Sequence, residues 1–269
     1  MKHIQKPITD KDGNFIGTED SKATCEKYRD LLGGTIFLSF SRGKDSLATW
    51  LYLLECGFDN IKPFHLSCVP HLEFVDRSLA YYEKWFGGKI ERFQQGENIE
   101  NILKLIYQPV QDVEFLDHLD FWIYNMFDVP MIWGESMGME EDQIWLAQGF
   151  SMYDNIFRMK YIREAKGAFE EDQFIYPIWD WKPTQVREFI SQYDISLPED
   201  YLIEKTSLTG VPLASMMANM REKYPKDYER IKLYFPLIEA AQARFYFREL
   251  KHKVEEKKER PKKKRPVLK

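Results

Sequence analysis

Cysteine is scarce in this chain: Cys25, Cys56 and Cys68 are the only three in 269 residues. None forms a Cys-x-x-Cys pair, which excludes a zinc ribbon. Three thiols also cannot build a four-cysteine iron–sulfur site within one chain. The scattered, odd-numbered set does not read as a disulfide framework, and Cys25 and Cys56 read as buried or half-buried free thiols. Long apolar runs are missing too. No stretch of about 18 apolar residues occurs, so no membrane-spanning helix and no membrane partner are expected. The segment Met1-Lys2-His3-Ile4-Gln5-Lys6-Pro7 lacks the apolar core of a signal peptide, and a cytoplasmic location is expected. A Walker A loop, with four residues between its Gly and its Gly-Lys pair, is absent as well.

Apolar residues make up 44% of the chain, ample for one large domain or one domain with a helical appendage. The net charge of −5 is unevenly spread. Residues 251–269 carry +7, which leaves −12 on the rest. That tail, with Lys257-Lys258-Glu259-Arg260-Pro261-Lys262-Lys263-Lys264-Arg265-Pro266, has no apolar periodicity and is expected to be disordered. It reads either as a loose anchor for nucleic acid or as a solubilising tail.

Helical and strand signals alternate along the chain. Helices are predicted over 19–33, Lys44–Cys56, Glu73–Phe86, Ile99–Leu105, Val113–Met126, Pro183–Tyr193, Pro212–Lys223 and Tyr228–Glu249. Strands are predicted at Thr35–Phe40, Ile61–Ser67, Lys89–Phe93 and Gln143–Gln148. This alternation predicts an α/β fold with a parallel sheet flanked by helices. Ligands of such sheets bind beyond the carboxyl ends of the strands.

The most informative stretch runs from Thr35 to Ser46. The apolar Thr35-Ile36-Phe37-Leu38-Ser39-Phe40 ends in Ser41-Arg42-Gly43-Lys44-Asp45-Ser46, and a helix follows. A turn of this kind offers backbone N–H groups at a helix N-terminus, two hydroxyls, an ammonium and a carboxylate. Gly43 leaves room for a phosphate against the backbone, Ser41 and Ser46 can donate to it, and Lys44 adds a point charge. Asp45 suits a metal-side carboxylate or a helix N-cap. The bland alternative is an ordinary strand-to-helix turn.

A second constellation is Gly149-Phe150-Ser151-Met152-Tyr153-Asp154-Asn155-Ile156-Phe157-Arg158, which follows a predicted strand. Arg158 is read on a helix beginning near Met152, its fork aimed at an anion. The alternative is an Asp154–Arg158 pair at i,i+4 spacing. A third segment runs from Tyr176 to Ile190. There Ile178 and Trp181 read as packing residues, Pro183 suits a first helical turn, and Val186, Phe189 and Ile190 form an apolar face.

These three segments, in order and spacing, resemble the PAPS reductase-like family of the PP-loop ATP pyrophosphatases, within the adenine nucleotide alpha hydrolases. The loop is similar to that family's Ser-Phe-Ser-Gly-Gly-Lys-Asp-Ser. The second segment is similar to its Gly-x-Arg-x-x-Glu-Ser-x-x-Arg, and the third to its Pro-Ile-x-x-Trp motif. The resemblance implies a five-stranded, Rossmann-like sheet of the HUP type that binds ATP or a related adenine nucleotide with Mg2+. Its implied nucleotide-binding set is Ser39, Ser41, Arg42, Gly43, Lys44, Asp45, Ser46, Ser67, Gly149, Asp154 and Arg158. Lys44, Asp45 and Arg158 are the implied catalytic residues, and Asp45 the metal-side ligand. By position, adenine would lie near His65-Leu66-Ser67-Cys68. His65 and His71 themselves read as structural or solvated.

Departures from the family decide the expected chemistry. Reductases need a C-terminal cysteine, and no cysteine follows Cys68 here, so sulfonate reduction is not expected. Ser151 stands where the family has Arg, and Arg42 where it has Gly, adding positive charge beside the phosphates. The expected activity is cleavage of ATP at its α-phosphate, releasing pyrophosphate and either adenylylating an unknown acceptor or forming AMP. The alternatives are a non-catalytic adenine-nucleotide-binding module, or a PAPS- or APS-processing enzyme whose thiol comes from elsewhere. The expected organisation is an N-terminal helical segment (1–34), a PP-loop domain (35–195), a C-terminal helical region (196–250) and a basic tail (251–269). The aromatics Tyr234, Phe235, Phe245, Tyr246 and Phe247 read as core or as a homodimer face.

Overall fold

A computed structural model describes residues 18–95, 124–204, 214–235 and most of 238–247. The helix expected at Ile99–Leu105, most of that at Val113–Met126, and the basic tail lie outside the described residues. Residues 124–126, at the end of the second of these helices, are not helical.

Helix α1 (Glu19–Leu31) starts at Thr18, whose hydroxyl accepts from the Ser21 N–H at 3.2 Å. Glu19 and Asp20 in its first turn favour the same end of the helix dipole. Strand β1 (Thr35–Ser39) follows, its three central residues buried. Such a continuous apolar run is what a strand covered on both faces requires. Next come α2 (Lys44–Glu55), β2 (Asn60–Ser67), α3 (Glu73–Phe86), β3 (Glu91–Gln94) and α4 (Asp128–Ser136). A single 3-10 turn (Glu141–Gln143) leads into β4 (Leu146–Ala147) and α5 (Ile156–Glu164). Strands β5 (Ala168–Phe169) and β6 (Phe174–Ile175) precede α6 (Pro183–Ile190), α7 (Glu199–Glu204), α8 (Ala214–Lys223) and α9 (Pro225–Tyr234).

The strands form one sheet in the order β3-β2-β1-β4-β6-β5. Its first five members are parallel, and β5 joins β6 antiparallel at the edge. β1 is central: Phe37 is in register with Lys62 on one side and Leu146 on the other. The architecture is therefore α/β and Rossmann-like. The four strands predicted from pattern become six, one more than the resemblance implies, because the two-residue β5 and β6 are too short to carry a periodic signal.

Helix α2 is buried along Ser46–Leu53 without a polar face. It lies between the sheet and α6, so its sequence cannot be amphipathic. Trp181 closes this layer. It is fully buried, with its ring edge-on to Tyr52 (centroids 4.8 Å) and Phe189 (5.1 Å), and its indole N–H donates to Ser21 Oγ at 3.1 Å. Ile178, Val186 and Phe189 are buried beside it. Each such side chain contributes about 1.5–3 kcal/mol by leaving water.

The C-terminal helices pack over α3 and share its core through Met217, Met220, Tyr228 and Ile231. Buried Asp227 accepts from the N–H groups of Glu73 (2.7 Å) and Phe74 (3.1 Å). It thus caps α3 from 150 residues away, a role that Leu72 at the N-cap cannot fill. The single helix expected over Tyr228–Glu249 is broken. Helix α9 ends at Tyr234 and Phe235 leaves the helical region (φ −127°, ψ 72°), because the residue before a proline, here Pro236, is disfavoured there. Helical conformation resumes within 238–247. No helix among the described residues is long and apolar enough to cross a membrane.

Candidate functional site

A cavity of about 490 Å³ opens beyond the carboxyl ends of β1, β2 and β4. The stretch Ser39-Phe40-Ser41 and the turn Gly43–Ser46 form one wall. Gln148-Gly149-Phe150, Asp154 and Arg158 form another, and Leu66, Gln95, Met126 and Tyr201 complete it.

The turn is built by its own side chains. Gly43 is the N-cap of α2, so Asp45 is not the cap. The first backbone bond of the helix runs from the Leu47 N–H to the Gly43 carbonyl at 3.0 Å. The N–H groups of Lys44, Asp45 and Ser46 precede that bond and have no partner within the helix. These three residues line the cavity, so the positive end of the α2 dipole faces it. Ser41 Oγ donates to Ser46 Oγ at 3.0 Å and accepts from the Gly43 N–H at 3.3 Å. Ser46 Oγ in turn donates to the Gly43 carbonyl at 3.0 Å. Lys44 Nζ is ion-paired with Asp45. Burial pushes the Asp45 carboxyl above its ordinary value, Lys44 opposes that shift, and the nearby Asp154 charge adds to it.

Gly149 explains why strand and turn meet so closely. A Cβ there would stand 2.7 Å from the Asp45 carbonyl carbon and the Ser46 nitrogen. Only a residue without a side chain lets the end of β4 lie against the backbone of the anion turn.

Arg158 lines the cavity from α5. Its guanidinium lies 4.6 Å from the Phe150 ring centroid, and Phe150 packs edge-on against Tyr176 at 5.4 Å. Among the described residues no carboxylate pairs with it. The helix carrying it begins at Ile156 rather than near Met152, because Asn155 caps it and accepts from the Phe157 N–H at 2.8 Å. Asp154 therefore lies outside the helix, and the i,i+4 pair with Arg158 does not form. Instead Asp154 accepts from the Ser151 N–H at 2.8 Å, shaping the turn. Ser151 is buried and donates to the Trp181 carbonyl at 2.7 Å, so it serves the scaffold.

Two expected nucleotide contacts are not brought to the cavity. Arg42 adopts a left-handed conformation (φ 67°) and is fully buried off the cavity wall. Its guanidinium forks onto Asp200 at 2.9 and 3.2 Å. The expected extra charge beside the phosphates is thus spent on an internal ion pair. Ser67 is not on the cavity wall, and its carbonyl accepts from the Gln95 N–H at 2.9 Å. Its neighbour Leu66 and Gln95 face the cavity in its place. Cys68 is buried, and desolvation pushes its thiol up to about 12, which removes it as a nucleophile near neutral pH. No group of three His, Cys, Asp or Glu side chains suited to a metal occurs among the described residues.

His65 is structural. Its ring is buried, with Nδ1 2.8 Å from the Phe40 carbonyl, and desolvation with the Arg42 charge pushes its pKa down to about 3. The unfolded chain therefore takes up this proton first as pH falls. The stability it confers is complete above the ordinary imidazole value of 6.5 and is lost progressively towards pH 3. The slope of that loss is at most about 1.4 kcal/mol per pH unit. Urea midpoints followed from pH 7 to 4 should fall more steeply for the wild type than for His65→Gln. Parallel slopes would show that His65 is not the titrating group.

Phe40, Gln95, Met126, Gln148, Phe150 and Tyr201 line the cavity without having been legible as site residues, and Leu66 only as part of the stretch near which adenine was expected. Phe150 sits inside a motif but reads as apolar filler, and Tyr201 belongs to no motif. No protein-family profile matches the chain, and no curated protein matches it by sequence. Among solved structures, it is similar to a U34-tRNA thiolase from Methanococcus maripaludis that carries a 4Fe–4S cluster. That pair shares 15% identity over 85% of this chain and 82% of the other, with a TM-score of 0.45. It is also similar to an NH3-dependent NAD synthetase from Campylobacter jejuni in complex with nitrate. Here identity is 10% over 93% of this chain and 98% of the other, with a TM-score of 0.39. The functional reading rests on the residues of the cavity themselves.

Proposed function

We propose that this chain is a PP-loop enzyme that cleaves ATP at the α-phosphate. The observation that carries the proposal is a convergence on one cavity: the N-terminus of α2, the Lys44 ammonium and the Arg158 guanidinium, with Gly149 pressed against the turn between them. Three sources of positive potential around one cavity suit a polyphosphate. The Ser41–Ser46 spacing, which resembles the PP-loop and not Walker A, points to the α-phosphate as the reacting centre.

In this reading the phosphates lie over residues 39–46. An acceptor oxygen, or water, attacks the α-phosphorus and the bond to the α,β-bridging oxygen breaks. Pyrophosphate leaves with that electron pair, and the acceptor proton passes to solvent. The protein positions the reactants and neutralises charge through the amides of residues 44–46, Lys44 and Arg158. A magnesium ion bound by a nucleotide needs only one or two protein carboxylates, and Asp45 and Asp154 on the cavity wall fit that demand. Asp45, the more buried of the two, would hold it; the ion would supply charge neutralisation on the phosphates. The acceptor is a further substrate, and the basic tail would suit a nucleic-acid acceptor.

ATP labelled at the α-phosphate tests this. AMP or an adenylylated product together with pyrophosphate is expected. ADP as the product would refute α-phosphate cleavage, and ATP binding without turnover would favour a binding module. Gly149→Ala supplies an independent check. Its Cβ must push the turn away from β4, and a displacement of about 1 Å lowers turnover by on the order of 100-fold. Far-UV circular dichroism should be unchanged, because the clash is confined to the turn. Full activity in this variant would mean that the turn is not the reacting surface.

A further inference from the structure

Arg42 and Asp200 form a fully buried ion pair that ties the anion turn to α7, outside the sheet. The pair is bidentate, at 2.9 and 3.2 Å, the geometry that fixes both partners in direction as well as distance. Arg42 holds it from a left-handed backbone (φ 67°), a conformation that side chains rarely adopt and that persists only where the surroundings hold it. Its neighbours Ser41 and Gly43 both line the cavity. On the other side of the pair, the residue after Asp200 is Tyr201, which also lines the cavity. Glu199, on the other flank of Asp200, accepts from the Tyr224 hydroxyl at 2.6 Å and pairs with Arg77 of α3 at 3.3 Å. The short helix is thus pinned from the turn, from α3 and from the segment before α9.

We infer that Tyr201 is a substrate-contacting residue on the phosphate side of the cavity, and that Arg42 is a positioning residue acting on it through Asp200. The inference rests on the reading of the cavity as an ATP site. One arginine side chain ties the turn to Asp200, and the next residue, Tyr201, lines the same cavity as the turn. It offers a hydroxyl that can donate to a phosphate oxygen and a ring that excludes water from it. Arg42 does for the site what added charge beside the phosphates would not: it fixes a wall contributed by a distant part of the chain.

The test is a double-mutant cycle on ATP affinity, with pyrophosphate as a second probe, measured calorimetrically on the full chain. Tyr201→Ala should bind ATP and pyrophosphate about tenfold more weakly, and Tyr201→Phe should recover the part due to the ring. Arg42→Lys keeps the charge but loses the fork, and should weaken binding to a similar extent. The double variant should be no worse than either single one, since both remove the same contact. If Arg42→Lys does not fold, Asp200→Asn takes its place in the cycle. Additive effects, or a Tyr201→Ala protein that binds both probes like the wild type, would overturn the inference while leaving the ATP site intact. A wild-type protein that binds no ATP would overturn the site reading, and this inference with it.

Discussion

Arg158→Ala and Lys44→Ala should each lower the rate of α-phosphate cleavage by about 10²–10³-fold, with a much smaller change in ATP affinity. In the proposed reaction, each removes one charged group on the cavity wall where negative charge would build up as the α-phosphorus is attacked. A preorganised donor of that kind contributes about 2.7–4 kcal/mol to the transition state. The two substitutions differ in their side effects. Lys44 is paired with Asp45, so its removal also leaves a half-buried carboxylate without its cation. Arg158 has no carboxylate partner among the described residues, and its contact with Phe150 is with a ring face, so its removal is the cleaner experiment. Single-turnover rates with saturating ATP and magnesium separate the chemical step from binding. A rate within threefold of the wild type for Arg158→Ala would exclude it from the groups that touch the reacting phosphate.

Asp200→Ala should destabilise the protein by about 3–5 kcal/mol, as is usual when one member of a buried ion pair is removed and the other charge is stranded. Arg42 would then be a fully buried guanidinium that has lost its bidentate acceptor. For a chain of this size the loss corresponds to a fall in melting temperature of roughly 6–20 °C. The exposed pairs serve as a control. Lys27–Glu170 and Lys226–Glu73 have mostly solvated partners, and breaking either should change stability by less than about 1 kcal/mol. A loss below 1 kcal/mol for Asp200→Ala would mean that water reaches the pair and that the tether is loose. Arg42→Gly probes a different balance. It relieves the left-handed backbone but removes the guanidinium that both Asp200 oxygens accept from, so it too should be destabilising.

Local chemistry was enough for the elements with long or strongly punctuated signals. Glu73–Phe86 was read without error because five apolar residues recur at helical spacing and Gly87, at φ 71°, stops the helix. The turn between β1 and α2 was legible because its Ser, Gly and Lys residues lie side by side in the sequence. The structure brings Ser39, Ser41, Gly43, Lys44, Asp45 and Ser46 to one cavity with Gly149, Asp154 and Arg158. Short elements escaped: β5 and β6 have two residues each and exist only because the sheet edge pairs them. Helix α5 starts at Ile156 rather than near Met152 because Asn155 caps it, while Ser151 and Asp154 are tied up in the turn before it.

What neighbouring residues impose on one another along the chain could therefore be read directly: an α/β fold with a parallel sheet, and a Ser/Gly/Lys turn that lines a cavity between its first strand and the following helix. Long-range contacts alone decided where each charge goes. Arg42 reads as a phosphate ligand by its place in the turn, yet it is consumed by Asp200, 158 residues further on. Tyr201 has no motif, yet it lines the cavity from a helix that this pair ties to the turn. A charged side chain goes where its desolvation is best compensated, and a fork-to-carboxylate pair across the fold is set by three-dimensional packing rather than by sequence spacing.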